Sequence, residues 1–274
     1  MNYTMMTYTM SRYPDFDFKK TVEFSKEIGL KHIDICFLGG PIKFSAAEAK
    51  KICDDSGLKV ACNTFGLDIN GKDMTLEKWL ETLKQKTEDT VGLGSANMMI
   101  PTPPAQGMSA SQNRANWIRA LSRGVELAKN AGLRLSVEHF PGETSPFLTS
   151  SDMLEAIKEV PDLRVTYDNG NCSEGEDPAE GFRRVAKYVI HSHFKGRYIS
   201  DTEKEGFRKM KNGKWCSSAL IGEDDIDHKA CLRAMKENGY ADGTVNIEYE
   251  GNKYNGYDAV RKAVDYLRAA EKAL

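Results

Sequence analysis

The sequence predicts an α/β protein folded as one closed (β/α)8 barrel, a single domain over residues 1–274. Three observations predict it. Strand-like and helix-like stretches alternate eight times with no second compositional zone. Gly29, Gly57, Gly132 and Gly239 each close a helical run just before the next strand, the place of a left-handed cap. The phrases EIGLKHID, DSGLKVAC, NAGLRLSV and ENGYADGTVNI therefore share one shape: helix end, glycine, strand. The alternative, a doubly wound open sheet, would usually carry a phosphate-binding glycine loop after an early strand, and no GxGxxG follows the first strand here.

Taken in order, a strand over 3–8 leads to a helix over 18–28, and a strand over 32–37 to a helix over 46–56. The third and fourth units pair strand 59–64 with helix 76–91 and strand 97–100 with helix 112–130. Strand 134–138 precedes helix 152–159, strand 163–168 precedes helix 178–187, and strand 189–193 precedes helix 227–238. The last strand, 244–248, leads into a helix from Tyr257 to the C-terminus. In that helix Val260, Ala263, Val264, Leu267, Ala270 and Leu274 follow the spacing of a single apolar face. Trp79 and Trp117 fall inside helices and read as packing, and Met5, Met6, Met98 and Met99 as core filler.

The composition is ordinary for a soluble globular protein: 40% hydrophobic and 28% charged residues, with a net charge of −2. Charges of both signs are spread along the chain. No basic run suggests a nucleic-acid partner and no apolar run is long enough to span a membrane. Six scattered cysteines without a CxxC pair, and an N-terminus without a signal-like pattern, predict reduced thiols and a cytoplasmic location.

Four candidate metal ligands sit at the ends of four short apolar strands: Glu138 in RLSVE, Asp168 in LRVTYD, His193 in VIHSH and Glu248 in TVNIE. Residues two apart on a strand share a face. Two residues back from the four lie Ser136, Thr166, His191 and Asn246, all polar, while the opposite parity is mostly apolar. All four strands thus agree on one polar face, and in a barrel the C-terminal strand ends form the active-site rim. Three carboxylates and an imidazole make a hard site that suits Mn²⁺ or Mg²⁺ first, with Co²⁺ and Zn²⁺ next. The polar segment 196–223, after the seventh strand, must emerge on the same face. It reads as an active-site loop insertion, a lid or substrate-contacting flap, as readily as a solvated insertion.

The phrases SVEHF, TYDNGN, HSHFKG and NIEYEG around these residues, with LIGEDDIDHKACLRAMKENGY before the last strand, resemble the xylose-isomerase-like TIM-barrel superfamily over nearly the whole chain. That superfamily includes sugar phosphate isomerases/epimerases and ketose 3-epimerases. The resemblance implies one divalent metal on Glu138, Asp168, His193 and Glu248, with the two glutamates also moving protons. It implies a sugar or keto-sugar substrate, and homo-oligomers are common among relatives, although no motif here requires one. This chain departs from the pattern at Asn171, where ketose epimerases often carry histidine. It departs again at Gly196, where many relatives carry aspartate, and at Asp224, where glycine is common.

The expected chemistry is proton abstraction beside a carbonyl through an enediolate, as in an isomerase or epimerase. Glu138 and Glu248 are the expected catalytic pair, one on each face of the substrate, with Asp168 and His193 anchoring the metal. Asn171, His191, Lys195 and Arg197 are the candidate substrate contacts, with a hydrogen-bonded core histidine as the alternative reading of His191. His139 has the helix-facing parity and is left out. His32 and Asp34 have barrel-facing spacing but read equally well as a structural pair. A lyase or dehydratase acting on a keto-sugar or cyclic keto-acid through the same enolate is the nearest alternative. An abasic-site endonuclease is disfavoured by five histidines and the negative charge, and a non-catalytic binding barrel by the intact tetrad.

Overall fold

The computed structural model describes residues 1–36 and 44–274. In chain order the elements are β1 (Asn2–Met5), α1 (Tyr8–Ser11), α2 (Phe18–Glu27), β2 (His32–Cys36), α3 (Ala46–Ser56), β3 (Lys59–Thr64) and α4 (Leu76–Gly92). Then come β4 (Asn97–Ile100), α5 (Ala110–Asn130), β5 (Arg134–Glu138), α6 (Ser150–Glu159), β6 (Arg164–Asp168), α7 (Asn169–Cys172) and α8 (Pro178–Val185). The chain ends with β7 (Val189–Phe194), β8 (Gly196–Ser200), β9 (Arg208–Lys209), β10 (Trp215–Ala219), α9 (His228–Glu237), β11 (Thr244–Ile247) and α10 (Gly256–Lys272).

Eight parallel strands run in the order β1, β11, β7, β6, β5, β4, β3, β2. Beyond β1 a parallel bridge pairs Met6 with Asp34 of β2, and the Thr7 amide donates to the Asp34 carbonyl at 3.0 Å, which brings the sheet round on itself. The result is the predicted (β/α)8 TIM barrel, a single domain. Helices start where side chains cap them: Ser45 with Glu48, Ser109 with Gln112 and Thr149 with Asp152 form reciprocal capping boxes. They stop where expected: Gly29, Gly57, Gly132 and Gly239 all hold positive φ, between 73° and 81°. Between α4 and α5 the Trp79 and Trp117 rings meet edge to face at 6.5 Å. Both are fully buried packing residues, whose loss would cost about 3–5 kcal/mol each.

Two expectations change. The first strand was expected to run to Tyr8 but ends at Met5, because Thr9 and Met10 turn back to bond the Met6 and Thr7 carbonyls and start α1. The expected end of the second strand, Phe37, lies outside the described residues. Segment 196–223 is more than a loop: β8, β10 and β9 form a three-stranded antiparallel sheet. The first residue of β8 explains one departure from the family pattern. A Cβ at Gly196 would lie 2.7 Å from the Ala219 carbonyl oxygen, so the hairpin closes only on a bare backbone.

Candidate metal centre

Glu138 ends β5, Asp168 ends β6, His193 lies in β7 and Glu248 follows β11, with its amide bonded to the Phe194 carbonyl at 2.9 Å. All four are buried. His193 Nδ1 lies 3.1 Å from Glu138 Oε2 and 3.7 Å from Glu248 Oε2. Glu138, Asp168 and His193 offer ligand atoms within 4.8 Å of one another. Glu138, Asp168 and His193 thus form one cluster, Glu248 approaches it through His193, and Glu138 and Glu248 line a cavity of about 380 Å³ with Asn171, Lys195 and Arg197.

Electrostatics favour a cation there. Lys195 Nζ sits 2.9 Å from Glu248, 3.1 Å from Asp168 and 3.5 Å from Glu250, with almost no exposure. Burial raises the pKa of Asp168 and Glu248, against the pull of Lys195. Burial opposes charge on His193, yet Asp34 and Glu138 outweigh it and hold the imidazole's pKa well above its ordinary value. Glu248 Oε2 is buried without a well-formed hydrogen bond, since its approach to Lys195 is an ion pair only. Buried carboxylates, one with an oxygen short of a donor, and an imidazole turned toward them fit a divalent ion.

Asp34 supplies what His193 needs on its far side. His193 Nε2 lies 3.3 Å from Asp34 Oδ2, which leaves Nδ1 toward the carboxylates. The same carboxylate takes His191 Nε2 at 2.7 Å and Asn246 Nδ2 at 3.1 Å, and Thr64 Oγ1 donates to Oδ1 at 3.1 Å. Burial works against this charge, but the two histidines bring the Asp34 pKa down to about 2. Alongside, Ser136 and Thr166 pair at 2.8 Å, so the polar layer read from strand parity is a bonded floor.

His191 belongs to that floor and not to the cavity wall. Its Nδ1 faces Thr244 Oγ1 at 2.7 Å, its Nε2 is spent on Asp34, and it is fully buried. The expectation of a substrate contact gives way to the bonded core histidine, because both ring nitrogens are engaged. His32 has no such role: it lines a cleft of about 500 Å³ with Asn2, Lys59 and Thr244.

Asn171 lines the cavity but also braces Asp168. Its backbone N–H donates to Asp168 Oδ1 at 2.8 Å and its side chain to Oδ2 at 3.0 Å, while Oδ1 accepts from Arg197 at 3.2 Å. Arg197 also donates to Glu250 at 2.6 Å and Ser218 at 3.0 Å. Asp224 accepts from the Arg197 amide at 3.2 Å and lies 2.9 Å from His228 Nε2. His228 Nδ1 meets Asn169, and Asn169 Oδ1 accepts from the Lys195 amide at 2.9 Å.

Glu250, Tyr8, Phe140 and Arg208 also line the cavity and were not foreseen as site residues. Glu250 was within reach of sequence reasoning, since it stands two residues beyond Glu248 in the same register. Arg208 and Ser218 come from the three-stranded sheet, and Arg208 pairs with buried Glu174, one contact being 2.7 Å.

Comparison with known proteins now adds to the geometry. The profile described as xylose isomerase-like TIM barrel matches residues 17–270. No curated protein matches the sequence significantly. Among solved structures, the IOLI protein with a binding zinc atom superposes with a TM-score of 0.80 at 16% identity, covering 100% of this chain and 99% of that one. A D-allulose 3-epimerase from Methylomonas sp. gives 0.78 at 18% identity, with 98% of each chain covered. The probable 3-DHS dehydratase AsbF of petrobactin synthesis from Bacillus anthracis gives 0.76 at 17% identity, covering 98% of this chain and 99% of that one. At such identities these likenesses establish the fold, and the profile match establishes the family: the chain belongs to the xylose isomerase-like TIM barrel family.

Proposed function

We propose that the protein is a divalent-metal-dependent sugar isomerase or epimerase that removes and returns a proton beside a carbonyl. The observation that carries this reading is the convergence of Glu138 and Glu248 on one nitrogen of His193 at the cavity floor, with Asp168 beside them. Glu138, Asp168, His193 and Glu248 would hold the ion, with Mn²⁺ or Mg²⁺ preferred by the hard donor set. When bound, the ion supplies Lewis-acid stabilisation of the enediolate oxygen.

The protein's own groups do the rest. Glu138 and Glu248 are the proton carriers, one taking the proton from substrate carbon and the other delivering it from the opposite face. Burial raises the Glu248 pKa in the metal-free protein. Asp168 is fixed by Asn171 and His193 by Asp34. The sheet β8–β10–β9 forms the substrate-facing wall that carries Arg197, Arg208 and Ser218, and Tyr8 and Phe140 give the cavity an aromatic side. Among the described lining residues, Lys195, Arg197 and Arg208 each already face a carboxylate. An uncharged sugar therefore suits this cavity better than a phosphorylated one. Such a sugar matches the D-allulose named for a structural neighbour. The lyase alternative draws support from the probable 3-DHS dehydratase among the structural neighbours.

Incubation with ketoses and keto-glycosides in deuterated water separates the outcomes. Isomerase or epimerase chemistry gives deuterium in a rearranged sugar of unchanged composition. A released leaving group or a new double bond would mean the lyase. No exchange with any carbonyl sugar, in protein loaded with metal, would overturn the proposal.

A further inference from the structure

Behind the rim, on the helix-facing side of β5 and β6, lies a second cluster that the proposed chemistry does not use. A ring nitrogen of His139, Cys172 Sγ and a carboxylate oxygen of Glu176 all lie within 4.8 Å of one another. His139 is fully buried, and its Nε2 has no hydrogen-bond partner. The ring hydrogen-bonds the Thr166 backbone carbonyl, through Nδ1 since Nε2 has no partner, and a proton held on Nδ1 leaves the Nε2 lone pair to ligate. Cys172 is fully buried too, with its sulfur 3.8 Å from Glu176 Oε1.

We propose that His139, Cys172 and Glu176 form a second metal site, separate from the rim tetrad, for zinc or a similar borderline-soft divalent ion. One nitrogen, one sulfur and one oxygen donor are the set such an ion takes, and they contrast with the oxygen-rich rim. The surroundings are built around the sulfur. A Cβ at Gly181 would stand 2.6 Å from Cys172 Sγ and 3.2 Å from Glu176 Oε1, so the backbone of α8 closes on the cluster without filling it. Glu176 is held in place by the Ser150 hydroxyl at 2.8 Å and by the Ser150 amide at the start of α6. Its side chain keeps 16% exposure, which gives an ion a way in. Binding would release the thiol proton of Cys172 to solvent and leave a thiolate on the ion. Because His139 follows Glu138 directly and Cys172 ends the short helix begun by Asp168, an ion here would tie together the supports of two rim ligands and the start of α6.

Cobalt titration of metal-free protein tests this, because thiolate ligation of Co²⁺ produces a near-ultraviolet charge-transfer band that the cysteine-free rim cannot give. The wild type is expected to bind two ions per chain, one of them with the band. Cys172→Ser should lose the band and one ion while keeping the other. Glu248→Ala, which leaves the cap of the Cys172 helix in place, should do the reverse, retaining the band and losing the rim ion. If Cys172→Ser does not fold, His139→Gln decides in its place and should abolish the band. A wild type saturated with Co²⁺ but without the band would overturn the proposal, as would a band that survives in Cys172→Ser. Loss of rim binding alone would count against the proposed function and leave this site standing.

Discussion

Strands β5, β6 and β7, and the residue just past β11, meet the cavity with Glu138, Asp168, His193 and Glu248, whereas β1 to β4 end in Met5, Cys36, Thr64 and Ile100. Both halves share one backbone geometry and one parallel ladder. They differ in what stands at or beside the end of each strand: one half presents carboxylates and an imidazole, and the other mostly small or apolar side chains. The first half still reaches across through Asp34, whose carboxylate holds His191 and His193. The asymmetry of this barrel is therefore a matter of side chains on a shared scaffold, with Asp34 as a long-range support.

The contrast makes graded predictions. The largest effect falls on the donor half: Glu138→Gln and Glu248→Gln should each reduce deuterium exchange into substrate by about 10²–10⁴-fold, with the protein still folded. Wild-type exchange in both variants would remove the proton carriers from the account. Next comes the bridge. Asp34→Asn should weaken Mn²⁺ binding about 10–100-fold, measured by calorimetry, because the orientation of His193 is lost while all four ligands remain. Unchanged affinity would reduce Asp34 to a packing residue.

The same carboxylate sets a pH dependence in metal-free protein. Its folded pKa of about 2 lies below the ordinary 3.8, so the unfolded chain takes up the proton first as pH falls. Its contribution, about 2 kcal/mol, is complete above the ordinary value and is lost as pH drops through the window from about 4 to about 2. Urea titrations across that window should show a shallower loss of stability in Asp34→Asn than in the wild type. The smallest effect falls in the first half. Ile100→Val should cost about 0.5–1.5 kcal/mol in stability and leave metal affinity untouched; a fall in affinity would show that β4 shapes the site after all.

Much of this was legible because it is local. Strand parity alone placed Glu138, Asp168, His193 and Glu248 on one face, since a side chain's face is fixed by counting residues along its own strand. Helix ends were equally readable, because a glycine at positive φ is a one-residue requirement. Asp34 was seen but not assigned: its partners His191 and His193 stand in β7, and only closure of the barrel brings them together. The same closure decided His191, whose parity was right but whose two nitrogens were already engaged. The segment 196–223 hid its sheet because β8, β9 and β10 pair antiparallel with one another, outside the repeating strand–helix pattern of the barrel. Arg208 and Ser218 entered the cavity with it.

The central claim, one divalent ion on the rim tetrad, is tested most directly by elemental analysis of the purified protein, wild type beside Asp168→Ala. The protein should be prepared without chelator or histidine tag and reconstituted with Mn²⁺. The account predicts about one Mn per chain in the wild type and loss of that ion in the variant. Equal manganese in both proteins, or none in the reconstituted wild type, would contradict it.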